Sequence, residues 1–217
     1  MVIQLGEQPW VLIGLSFLEI LFIILPTLVA GKIEKKSIRE ELFEIGFRKN
    51  RDPLIMNLLK IIAGFGIGIL FFLFGGYIIY FFRIIIVESL FGVSFVQKGD
   101  EGAISAQPIQ PNLIQLIVIL IIQFIIIGIC EEAFFRAFII KKFKKLVKLK
   151  YAIVISAFFF TLYHVPPFLV PITTIVTYFG YYFTFGLLLS FIFIYFDYSL
   201  IPCSIAHSIF NILVILL

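Results

Sequence analysis

Charge is scarce in this chain. Asp, Glu, Lys and Arg make up 14% of its 217 residues against 62% hydrophobic, and the mean hydropathy is +1.15. Soluble domains carry about a quarter charged residues, so the deficit excludes a surface that faces mainly water and leaves lipid as the solvent. Cysteine is nearly absent as well: two residues cannot build a disulfide framework, which excludes a stapled secreted domain. A chain so apolar, with 28 phenylalanines, is not disordered and is not a nucleic-acid module, so no nucleic-acid partner is expected. The net charge of +4 matters less than where the charges sit. The sequence has no internal repeat and no low-complexity tract, which makes residues 1–217 one integral-membrane domain in the simplest reading.

What is present is a series of long apolar runs, read as an all-α, polytopic transmembrane helical bundle. The expected spans are Trp10 to Ala30, Ile61 to Phe82, Asn112 to Ile140, Tyr151 to Pro166, Ile172 to Tyr195 and Leu200 to Leu217. Each approaches or exceeds the roughly 20 residues that cross a hydrocarbon layer of about 30 Å. The count is about six, and six to eight spans are compatible with the pattern. Pro166, Pro167 and Pro171 leave room for a broken or re-entrant helix near the fourth and fifth. The first run lacks a basic n-region and a small-residue cleavage site, so it reads as a retained helix and not a signal peptide. In the second, Gly64 and Gly68 form a small-xxx-small pair that would let a neighbouring helix approach closely.

Thirteen of the seventeen basic residues lie in two connections, Lys32 to Arg51 and Lys141 to Lys150. Two intervening spans put both connections on one side, and the positive-inside rule makes that side cytoplasmic, with both termini outside. The stretch from Ile33 to Phe47 carries Ile33, Ile38, Leu42 and Ile45 roughly along one face. It is expected to be an amphipathic cytoplasmic connector lying on the membrane surface.

The informative residues are the polar ones inside the spans, because a charge at the bilayer centre costs about 2.5–3.5 kcal/mol even on lenient insertion scales. Glu131, Glu132 and Arg136 form the densest group. On a helix Glu132 and Arg136 share a face four residues apart, in the favourable order for an ion pair, while Glu131 is rotated about 100° away. Both histidines of the chain, His164 and His207, also fall within spans. Asn211 follows His207 by four residues on the same face, and Phe160 precedes His164 by four. Counted from the basic side at about 1.5 Å per residue, Glu131 lies about 14 Å deep, His207 about 11 Å and His164 about 20 Å. These depths would allow one polar cavity opening toward the cytoplasm. Glu19 is the other mid-span charge and is expected to hydrogen-bond between helices. Arg83 and Glu88 are expected to reach the outer interface.

A carboxylate beside an imidazole can hold and deprotonate water, while a second imidazole and an amide can donate to the oxyanion formed when a carbonyl is attacked. This is a hydrolase layout. No serine or cysteine stands out as a nucleophile: Ser208 points away from His207 on the helix, and Cys130 and Cys203 read as small core residues. Two further uses of the same residues stay open. Glu131, His164 and His207 form a ligand set suited to zinc. The same acids and histidines could instead relay protons or ions without catalysis, although a relay has little need of the amide at Asn211.

Glu131-Glu132-x-x-x-Arg136, Phe160-x-x-x-His164 and His207-x-x-x-Asn211 resemble, in order and spacing, the three motifs of the CAAX protease and bacteriocin-processing (Abi) family. That family includes the type II CAAX prenyl endopeptidases. The resemblance covers residues 112–217, the expected catalytic core. It implies an intramembrane endopeptidase with a cytoplasm-facing site, in which Glu131 and His164 activate water and His207 and Asn211 stabilise the oxyanion. Glu132 and Arg136, with Phe160, would organise the site. No cofactor is required on this reading, and zinc remains open. The implied partners are membrane lipid and a protein or lipidated peptide, of which a prenylated CAAX tail is one form.

Overall fold

The computed structural model describes residue 14 and residues 16–47, 52–103 and 112–217, and among these it is all-helical with no strand. Eight helices follow in order: α1 (Leu21–Glu34, entered through a 3₁₀ turn at Phe17–Ile20), α2 (Ile38–Glu44), α3 (Leu54–Phe91), α4 (Val93–Glu101), α5 (Leu113–Phe143), α6 (Leu149–His164), α7 (Ile172–Tyr195) and α8 (Leu200–Leu216). Three of them, α3, α5 and α7, are long and apolar enough to cross a membrane, and α6 and α8 are apolar but shorter. The first expected span begins at Trp10, and residues 10–13 and 15 lie outside the described set.

Local chemistry sets most boundaries. Pro53 precedes α3, where its missing N–H costs nothing, and Gly92 ends it with a φ of 86° that favours glycine. The resulting 38-residue helix outruns the expected Ile61 to Phe82 at both ends. Asn112 caps α5 through a reciprocal pair, its side chain accepting from the Gln115 N–H at 2.9 Å while the Gln115 side chain accepts from the Asn112 N–H at 3.0 Å. Pro166 disfavours helical geometry at Val165, so α6 stops at His164. The proline-rich stretch is therefore a connection between two continuous helices and not a break inside one.

The connector differs from its sequence expectation. Instead of one amphipathic helix over 33–47, Ile33 belongs to the last turn of α1, and Lys35 adopts a left-handed φ of 55°. A new helix then starts at Ser37, whose side chain and that of Glu40 form a capping box. The seven-residue α2 that results buries Ile45 at its C-cap and leaves Ile38 half exposed.

The two basic connections lie on one side of the molecule and are clasped there by acids. Lys142 Nζ lies 2.7 Å from Glu41 Oε2 and 2.5 Å from Glu34 Oε1, Lys36 Nζ lies 2.7 Å from Glu44 Oε2, and Lys145 also bonds Glu44. Partial burial pushes the Glu44 carboxyl up, but hydrogen bonds from Lys145 and Lys36 and the charge of Lys142 outweigh it and hold it down at about 2. At the other end Arg83 is gripped by both oxygens of Asp100, to which Tyr178 also donates at 2.8 Å. Arg83 thus joins α3, α4 and α7 instead of simply reaching the interface.

The most extensive helix pair is α3 with α8. A Cβ at Gly64 would stand 2.7 Å from the Pro202 carbonyl oxygen, and one at Gly68 2.7 Å from that of Ala206. The small-xxx-small pair is therefore where the two backbones meet. This seam fixes α8, and α8 carries His207.

Candidate active site

Helix α5 supplies the carboxylates. It is wound wide, with π-helical stretches at Ile122–Ile127 and Ala133–Ile140 flanking a short α segment at Gly128–Glu132. Such insertions recur at functional sites because they redirect side chains and release carbonyls from the ladder. Here the Gln123 carbonyl accepts from Ser208 Oγ at 2.7 Å, which ties α5 to α8. Gly128 makes the approach possible, since a Cβ there would lie 2.0 Å from Ser208 Oγ. Ser208 is therefore a buried strut between α5 and α8.

This close approach brings His207 against both acids. Its Nδ1 lies 2.8 Å from Glu132 Oε1, and its Nε2 lies 4.0 Å from Glu131 Oε2. The other oxygen of Glu132 is 3.1 Å from Arg136 Nε, a charge contact without the alignment of a hydrogen bond. Glu132 thus bridges Arg136 and His207. Arg136 is fully buried, and its guanidinium lies over the Phe160 ring at 4.3 Å, where a planar cation meets the negative face of the ring. Phe160 also packs at 4.2 Å from the His164 ring and 5.9 Å from that of His207, so one side chain sets the placing of three charged or titratable groups.

His164, in the last turn of α6, is held through Nδ1, 2.9 Å from the Phe160 carbonyl oxygen. A carbonyl can only accept, so Nδ1 carries the proton and Nε2 of the neutral ring keeps a lone pair. One ligand-capable atom from each of Glu131, His164 and His207 lies within 4.8 Å of the others. A single oxygen placed among three such atoms comes within hydrogen-bonding reach of all of them, roughly 2.8 Å. Glu131 Oε2 is buried and has no hydrogen-bond partner among the described residues.

Asn211 lines the same cavity as the two imidazoles, and its Nδ2 lies 3.3 Å from Gln123 Oε1. The cavity measures about 170 Å³ and is walled mainly by rings, among them Phe71, Phe185 and Phe210. It is less polar than the side-chain pattern suggests, and Glu131 lies outside its lining. Cys130 and Cys203 are buried free thiols.

Two participants escape a reading by motif. Gln123 is a buried polar residue in an apolar run, two turns ahead of Glu131, and that oddity was its signal. Tyr163 donates to Glu19 Oε1, which gives Glu19 the interhelical partner that a mid-span acid needs. No sequence spacing links a residue of the 3₁₀ turn before α1 to one of α6, so the identity of that partner had no signal.

Residues 113–213 match the family model described as type II CAAX prenyl endopeptidase Rce1-like. The matched segment contains all three motifs, so the likeness to that family covers the part of the chain that carries the site. With its apolar helices, this makes the chain an integral membrane protein. No curated protein and no solved structure matches the chain.

Proposed function

We propose that the protein is an intramembrane endopeptidase that hydrolyses a peptide bond in a membrane-borne, lipidated protein or peptide, of which a prenylated CAAX tail is the first candidate. The observation that carries this reading is the convergence of Glu131, His164 and His207 within 4.8 Å. Glu131 and the free Nε2 of His164 hold a water between them and take its proton as the oxygen attacks the carbonyl. The tetrahedral oxyanion is met by His207 and by the Asn211 amide, which Gln123 orients. His207 donates from Nε2 only as an imidazolium, because its Nδ1 proton is committed to Glu132. Glu132 orients that ring, as the acid of a catalytic triad orients its histidine. The protonated His164 or Glu131 then returns a proton to the leaving amine. Six membrane crossings and a cytoplasmic position for the basic side complete the reading.

A specific observation favours a second reading. Both imidazoles are anchored through Nδ1, to a carbonyl and to a carboxylate, which is how metal-binding histidines are usually held. The two Nε2 atoms and Glu131 are then a fitting ligand set for zinc, which would polarise the carbonyl and acidify bound water. The two readings differ in the protonation of His207.

The test is cleavage of a fluorogenic prenylated CAAX peptide by the purified protein in detergent, with and without a strong chelator, beside Glu131→Ala. Cleavage that survives the chelator but not the substitution supports water held by protein groups alone. Loss with chelator and recovery with zinc assigns Glu131, His164 and His207 as ligands. Undiminished cleavage by a well-expressed Glu131→Ala protein overturns both. Proton or ion flux in reconstituted vesicles, with no peptidase activity, would point to a relay instead.

A further inference from the structure

Glu19 stands in the 3₁₀ turn that opens α1, within an apolar run where a carboxyl is costly to keep. Tyr163 donates to its Oε1, while its Oε2 is buried with no hydrogen-bond partner among the described residues. The side chain therefore depends on one hydroxyl. Turning the Tyr163 ring away would leave the carboxyl unsatisfied where no water can replace the bond, so the pair locks the ring in place.

What that ring touches gives the lock its use. Tyr163 precedes His164 in the last turn of α6, and the two rings meet edge-on at 5.2 Å. One hydrogen bond at Nδ1 does not fix the plane of the His164 imidazole, and the surrounding rings of Phe160, Tyr182 and Tyr163 do so. Tyr163 is in turn pinned by Phe22 of α1 at 4.9 Å and by Phe135 of α5 at 5.8 Å. Phe22 also stacks on Phe134 at 4.9 Å, and the turn that carries Glu19 packs against the Gly128–Glu132 segment. The start of α1 thus bridges the two helices that supply Glu131 and His164. We infer that Glu19 is a positioning residue: by holding Tyr163 it braces the His164 ring, and so aims the free Nε2 at the water that Glu131 shares. The inference rests on the endopeptidase reading and adds to the site a residue from outside the segment matched by the family model, residues 113–213.

The experiment measures kcat and KM for a fluorogenic prenylated CAAX peptide in detergent with wild type, Glu19→Ala, Tyr163→Phe, the double variant of these two, and Glu19→Gln. Glu19→Ala and Tyr163→Phe are each expected to lower kcat between about tenfold and a hundredfold, the scale of a small misplacement of a reacting group, with KM within about twofold. The double variant should be no slower than the slower single variant, because both changes break one bond. Glu19→Gln keeps an oxygen that accepts from Tyr163 and should retain at least about half of the wild-type kcat, a rescue that a requirement for charge would not allow. Wild-type kcat in both Glu19→Ala and Tyr163→Phe, multiplied losses in the double variant, or a Glu19→Gln protein as slow as Glu19→Ala overturns the brace and leaves the peptidase reading intact. If wild type cleaves nothing, the peptidase reading fails and the brace is tested without turnover, by the rate at which diethyl pyrocarbonate modifies His164, followed by mass spectrometry. Modification several-fold faster in Glu19→Ala and Tyr163→Phe than in wild type and Glu19→Gln upholds the brace, and equal rates in all of them overturn it.

Discussion

His207 Nδ1 stands 2.8 Å from Glu132 Oε1, and this contact fixes both the orientation of the imidazole and the chemistry left to its other nitrogen. Helical geometry alone pairs Glu132 with Arg136. In the structure Glu132 serves two partners on two helices, and its neighbour Glu131 keeps an oxygen free beside Nε2.

Glu132→Gln keeps the shape of the side chain while replacing the acceptor oxygen pair that orients His207 through Nδ1. On the endopeptidase reading kcat falls by roughly 10²–10⁴, as when the acid of a triad becomes an amide, and KM stays within a few fold. Steady-state kinetics with the fluorogenic peptide measure this. Wild-type kcat in Glu132→Gln would remove the bond from the mechanism.

Gly128→Ala puts a methyl 2.0 Å from Ser208 Oγ and forces α8 away from α5. The expected loss is about 1–3 kcal/mol of stability, typical of overpacking, together with a strong fall in activity as His207 leaves Glu131. Adding Ser208→Ala removes the obstructing oxygen and should recover part of both losses. Thermal unfolding of the two single variants and the double variant in detergent checks this coupling, and simple additivity would argue against it.

Arg136→Ala leaves Glu132 buried without its cation. The cost should be about 3–5 kcal/mol, the range for breaking one side of a buried pair. Arg136→Lys should not recover it fully, because a compact ammonium does not reproduce the planar contact over Phe160. Denaturation midpoints of the three proteins give the comparison.

Glu44 provides a pH signature outside the membrane-spanning helices. Its carboxyl is held down at about 2, below its usual value of 4.5, so its contribution to stability is present above about pH 4.5 and is lost as the pH falls towards 2. The melting temperature of Glu44→Gln should therefore lie below that of wild type at pH 7 and converge on it in acid. Added salt should narrow the gap at neutral pH, because the clasp is partly exposed to water. A gap that does not change with pH would mean that Glu44 acts through packing.

Much of the helix order was legible because apolar runs and their breakers act locally. Ile172 to Tyr195 appears with the expected bounds, and Asn112 opens α5 as its cap. The glycine pair in α3 announced a close helix contact, but spacing could not say that α8 would fill it. The connector was misjudged because a short amphipathic pattern is continuous in sequence, whereas Lys35 and Ser37 impose a reversal and a fresh start. In the site, the ion pair of Glu132 with Arg136 followed from helical periodicity. The bond of Glu132 to His207 did not, since it depends on the π-helical winding of α5 and on a contact between Gly128 and Ser208, 80 residues apart by their numbers. Gln123 was passed over although it is polar within an apolar run, and its partner Asn211 lies 88 residues away.

The seam between α3 and α8 also bears on how the molecule can be dissected. The segment that carries all three motifs is stitched to what precedes it: α8 rests on Gly64 and Gly68, Lys142 and Lys145 spend their charge on acids of α1 and α2, and Tyr163 holds Glu19. Excised alone, residues 113–213 would turn a strip shaped for a glycine backbone toward lipid tails and leave several lysines without counter-ions. A shortened chain that keeps the site intact would therefore have to retain α1 to α3 as structural parts, even though none of them contributes to the three motifs.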